Sequence, residues 1–94
     1  MTEFLNTQLL VSSVPQRVGV TASEWVEVGN LHPDCESTFY IAGDLASCTP
    51  QLGRPLPPGH CFKWDVSRSH IGQHHFYIVA VDDFDDQHAA IIAR

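Results

Sequence analysis

The side chains best suited to chemistry are histidines, cysteines and a run of aspartates. His70, His74 and His75 lie within six positions, in Ser-His-Ile-Gly-Gln-His-His. A zinc site needs three or four such ligands converging on one point. His74 and His75 are adjacent, and at the start of a strand they point to opposite faces. No cysteine stands close to them in sequence, so the segment reads as a polar loop rather than a metal site. His32, His60 and His88 each flank a turn and read as surface polar side chains. Asp82, Asp83, Asp85 and Asp86 offer hard oxygen ligands for calcium. They lack the spacing, glycine and distal glutamate of a calcium loop, and Phe84 interrupts them. A solvated hairpin tip is the expectation, and any partner of that tip should be basic or cationic.

Nucleophilic chemistry fares no better. His60 precedes Cys61, and Asp65 follows four positions on, but strand neighbours alternate faces, so His60 does not readily reach the Cys61 sulfur. No nucleophile elbow, phosphate-binding glycine loop or dinucleotide fingerprint is present. The expectation is a protein with no catalytic residues, no metal and no cofactor. The three cysteines, Cys35, Cys48 and Cys61, form no C-x-x-C pair. Reduced, partly buried thiols in a protein made in a cytosol are the plain reading. One disulfide plus a free thiol stays open.

The elements that would position these groups are strands. Val26 and Val28 alternate with Glu27; Phe39 and Ile41 share a face; Phe62, Trp64 and Val66 alternate with Lys63 and Asp65. His75–Val81 and His88–Ala93 are nearly continuous apolar runs. They read as strands covered on both faces, by a second sheet or by a neighbouring subunit. Ala89–Ala93 has helical propensity, but its place after a strong turn favours strand. Weaker strands are expected at Gln8–Val14 and Arg17–Thr21, with Pro15 interrupting or bending the first. Gly53-Arg-Pro-Leu-Pro-Pro-Gly59 excludes helix and central strand. The predicted strands are near 24–29, 37–42, 61–66, 76–81 and 88–93. The predicted core is Val26, Val28, Phe39, Ile41, Phe62, Trp64, Val66, Ile78 and Ile91. About seven short strands imply an all-β fold, a small antiparallel β-sandwich or barrel.

A chain of 94 residues is one domain, 1–94, with its core over 24–93. Its 44 % hydrophobic and 17 % charged composition is globular rather than disordered. The net charge of −6 argues against nucleic acid, which needs a basic face, and against an anionic membrane surface. No apolar run approaches the roughly 20 residues of a membrane span. The start, Met1-Thr-Glu-Phe-Leu-Asn6, has no positive n-region, so no signal peptide is expected. Residues 1–15 read as a possible N-terminal arm reaching a neighbour, or else as the first strand of the same sheet. Phe4, Leu5, Leu9 and Leu10 are its candidate interface residues. Trp25 shares a face with Glu27, opposite Val26 and Val28, and belongs either to the core edge or to an interface.

The order of these segments resembles a pattern found in small virion proteins of tailed bacteriophages. The carriers are Trp25-Val-Glu-Val-Gly-Asn30, Phe39-Tyr-Ile-Ala-Gly-Asp44, Gly53–Gly59, Phe62-Lys-Trp64, Phe76-Tyr-Ile-Val-Ala80 and Ala90-Ile-Ile-Ala93. The most specific part is a structural loop, G-x-P-L-x-P-G, matched at Gly53, Pro55, Leu56, Pro58 and Gly59. The likeness spans residues 25–93. It departs at Ala42, where glycine is usual, and in the Ser67–His75 loop. The resemblance implies a capsid decoration (cement) protein on the virion surface, made in the host cytoplasm. It would bind the major capsid protein and act as a homo-oligomer, a trimer by that likeness. A tail or fibre adaptor binding a host surface, or a small phage-encoded inhibitor, are the competing roles.

Overall fold

In a computed structural model of the chain, the residues described are 5–19, 25–32, 36–65, 75–82 and 87–93. They form eight strands and no helix: β1 (Leu5–Leu10), β2 (Gln16–Gly19), β3 (Trp25–Gly29), β4 (Phe39–Ala42), β5 (Arg54–Leu56), β6 (Cys61–Asp65), β7 (His75–Ala80) and β8 (His88–Ala93). Two four-stranded sheets have the orders β1-β8-β3-β6 and β2-β7-β4-β5. Every pairing is antiparallel. The fold is an all-β sandwich.

Alternation sorts the side chains between the sheets. Val26 and Val28 of β3, Phe39 and Ile41 of β4, Phe76, Ile78 and Ala80 of β7, and Ala89 and Ile91 of β8 form one buried cluster with Trp64. Phe62 is partly buried against it. The Trp64 ring meets Phe76 of the opposite sheet edge-on at 5.3 Å and stacks on Phe62 at the same spacing. Each fully buried Val, Ile or Phe contributes about 1.5–3 kcal/mol relative to exposure. Val66, the remaining predicted core residue, lies outside the described residues.

Some expectations need correction. The described residues form eight strands, in line with the expected about seven, the addition being β5 inside the G-x-P-L-x-P-G segment, which the sequence reads as loop. Pro55 is accommodated there because β5 is a sheet edge, where a missing N–H breaks no ladder. The first strand is Leu5–Leu10 rather than Gln8–Val14, and the second starts at Gln16 rather than Arg17, its expected end at Thr21 lying outside the described residues. Of the two readings of residues 1–15, residues 5–10 are the first strand of the sheet, paired with β8 from Leu5↔Ala93 to Leu10↔His88. The reason is burial: Val11 is 1 % exposed, and Leu9 is partly buried against the core.

Residues 11–15 carry the chain from one sheet to the other. The Val11 N–H donates to the Gln87 carbonyl at 2.6 Å, beside β8. One residue later the Ser12 carbonyl accepts from the Ala80 N–H at 2.8 Å, beside β7. Residues 57–60 also cross between the sheets, from β5 to β6. Pro57-Pro-Gly-His60 closes with the His60 N–H donating to the Pro57 carbonyl at 3.1 Å, and Gly59 sits at φ +82°. That is a type II turn, which wants Pro second and Gly third.

Candidate interaction surface

The strand directions gather four connections at one end of the sandwich: 11–15, 30–38, 57–60 and 81–87. Two buried amides hold them. Asn30 is 0 % exposed, directly after β3. Its Nδ2 donates to the Ser37 carbonyl at 2.7 Å and to the Leu56 carbonyl at 2.9 Å. Its backbone N–H donates to His60 O at 2.9 Å, and its carbonyl accepts from the Gly59 N–H at 2.6 Å. One residue therefore ties the ends of β3, β5 and the start of β6. Gln87 is 1 % exposed, and its Nε2 donates to Val11 O at 3.0 Å and Asp82 O at 2.5 Å. Both amides act through their N–H groups, since Asn30 Oδ1 and Gln87 Oε1 are buried without a hydrogen-bond partner.

The framework presents apolar side chains to solvent. Leu10, Val14, Leu31 and Val81 all belong to this end and are half or more exposed. Single exposed apolar residues are ordinary, but four at one end, Leu10 closing β1 and the other three on the connections, make a surface suited to a partner. His32 and His88 lie here too, with ring centroids 5.6 Å apart, and His60 is exposed. Asp82 is exposed at the rim; Asp83, Asp85 and Asp86 lie outside the described residues.

The remaining candidates are scattered. His75 opens β7 and packs edge-on against Tyr77 at 5.6 Å on the outer face; His70 and His74 lie outside the described residues. Among the described residues, no three His, Cys, Asp or Glu side chains come together as a metal site would need. Cys61 is exposed on β6, Cys48 is the buried residue of the 43–53 loop, and Cys35 lies outside the described residues. Burial pushes the Cys48 thiol up to about 11, with Asp44 adding to the rise. Burial and then Glu27 raise the Cys61 thiol. Both thiols are therefore poor nucleophiles at neutral pH.

Of the other candidate interface residues, Leu10 is 50 % exposed and belongs to the loop end. Phe4 lies outside the described residues, and Leu5 is placed by its backbone pairing with Ala93. Trp25 is half-buried on the outer face of its sheet, with the Lys63 Nζ 4.3 Å from its ring centroid. The structural loop is explained residue by residue. A Cβ on Gly53 would sit 2.8 Å from the Thr49 carbonyl oxygen and 3.0 Å from the Tyr40 Cβ. Leu56 is 2 % exposed in the core, and Arg54 caps the Phe62 ring at 4.0 Å. Pro58 and Gly59 are the middle of the type II turn. Reasoning on the sequence missed Asn30 and Gln87, whose flanking turn residues look like solvated loop.

Comparison with protein-family models, with characterised proteins and with solved structures found no match.

Proposed function

We propose that this chain is a structural virion protein of a tailed bacteriophage, a capsid decoration module that binds where major capsid proteins meet. The observation that carries the proposal is the ordered segment pattern over residues 25–93, centred on G-x-P-L-x-P-G. The pattern is coherent as a unit. Asn30 of its first segment bonds Leu56 and Gly59 of its central loop, so its spacing reflects one packed frame. The docking surface in this reading is the loop end with Leu10, Val14, Leu31 and Val81. Many copies on one particle make weak individual contacts effective together.

The test is quantitative mass spectrometry of purified particles, coupled with rebinding of the purified chain to stripped particles. Many copies per particle, and loss of rebinding in Leu31→Asp or Val14→Asp, support decoration. A handful of copies assigns the chain to the tail, and absence from particles removes the virion reading.

A further inference from the structure

Charge is distributed unevenly along the sandwich. The four connections of the loop end, 11–15, 30–38, 57–60 and 81–87, hold six of the chain's eleven acidic residues: Asp34, Glu36, Asp82, Asp83, Asp85 and Asp86. The same connections contain neither lysine nor arginine. Arg17, Arg54 and Lys63 belong to β2, β5 and β6, while Arg68 falls in 66–74 and Arg94 follows β8. Arg54 and Lys63 lie over the rings of Phe62 and Trp25, at 4.0 and 4.3 Å from the centroids.

Of the six acids, Glu36 and Asp82 are among the described residues, and both are exposed. Each shares its connection with an exposed apolar side chain. Leu31 stands in the connection of Glu36, and Val81 directly precedes Asp82. Apolar area and negative charge are therefore interleaved on one surface.

We infer, on the reading of this end as the docking surface, that its partner is a protein face with an apolar centre and a rim of lysine and arginine. Charge selects this occupant. A second copy placed end to end sets acid against acid, and its net charge of −6 opposes approach. Nucleic acid and anionic lipid bring phosphates to connections that contain no lysine or arginine. A neutral face takes water from Glu36 and Asp82 without supplying a counter-charge. A basic but wholly polar ligand leaves Leu10, Val14, Leu31 and Val81 in water. A face with both features answers both demands: apolar burial supplies affinity, and opposite charge steers encounter and sets specificity. Salt then weakens the association, and the apolar contact leaves a salt-resistant remainder.

The experiment is an NMR titration of the isotope-labelled full chain with three synthetic peptides. One alternates leucine with lysine, one leucine with glutamate, and one serine with lysine. The leucine–lysine peptide should shift the backbone signals of Val14, Leu31, Val81 and Asp82, and should bind roughly tenfold or more tightly than either of the others. Rising salt should weaken that binding without abolishing it. Asp82→Lys combined with Glu36→Lys should weaken it by roughly tenfold. Both positions are exposed, so the fold is kept, which an unchanged melting curve verifies. Asp82→Asn combined with Glu36→Gln removes the charges without added bulk and should give a smaller loss in the same direction. The inference is overturned by a leucine–lysine peptide that does not bind, or by shifts that fall on the sheet faces or the opposite end. Equal binding of the leucine–glutamate peptide, or unchanged affinity in both double variants, overturns it as well. None of these readouts uses a capsid, so absence of the chain from particles ends the virion reading while the peptides decide the partner's chemistry.

Discussion

The side-chain amide of Asn30 donates to the backbone carbonyl of Leu56 at 2.9 Å, joining the end of β3 to the end of β5 across the two sheets. The same amide holds the Ser37 carbonyl. The sheets of a sandwich are otherwise held by apolar contact, which fixes separation more than registration. A buried, directional tie fixes where the loops stand.

Asn30→Ala should therefore lower stability by about 1–3 kcal/mol, the cost of leaving buried carbonyls unpaired. Urea unfolding measures it. Asn30→Asp tests the donor role more sharply. A carboxylate presents only acceptors to those two carbonyls, so it should be worse than alanine at neutral pH. It should recover as pH falls, since the protonated acid can donate again. Equal loss in both variants at every pH would show that volume, not hydrogen bonding, matters at this site.

Gly53 controls the cover over the outer face of the β2-β7-β4-β5 sheet. The loop between β4 and β5 folds back so that Cys48 packs against Ala42 and Val79, with Tyr40 and Tyr77 beside them. Gly53→Ala drives a methyl toward the Thr49 carbonyl and the Tyr40 side chain, so the loop must lift. Thiol labelling reads this directly. In the wild type, Cys61 should label quickly and Cys48 slowly. In Gly53→Ala, Cys48 should label much faster with little change at Cys61. An unaltered Cys48 rate would mean that the loop absorbs the methyl without opening.

Cys48 also sets an alkaline limit to stability. Its thiol titrates near 11 in the folded chain against an ordinary 9.0. Above pH 9 the unfolded chain loses this proton while the folded chain keeps it, so stability falls as pH rises from 9 toward 11. Cys48→Ser should flatten the melting temperature measured across that interval. If the slope survives the substitution, another group is responsible.

Deleting residues 2–13 removes β1 and Val11 together. The loss strips β8 of its neighbour along its whole length and opens the core beside Ala89 and Ile91. The truncated chain should show no cooperative unfolding transition by circular dichroism. A truncated chain that folds cooperatively would return this segment to the status of an arm.

Much of the fold was legible in the sequence, because alternation is a local property. Period two in Val26–Val28, Phe39–Ile41 and Phe62–Trp64 reports which side chains face a core, whatever lies opposite. Pro57-Pro-Gly-His60 carries its own turn in its dihedral preferences. What lies opposite was not legible. The apolar run of β7 signalled cover on both faces, and only the tertiary structure shows that the outer cover is the chain's own 43–53 loop through Cys48. The bonding of Asn30 to Leu56 and of Gln87 to Val11 spans 26 and 76 positions, and no spacing rule reaches so far. The role of residues 5–10 was open for the same reason. Leu5–Leu10 is an adequate strand in isolation, and its place as an edge beside β8 was decided by a partner at the far end of the chain.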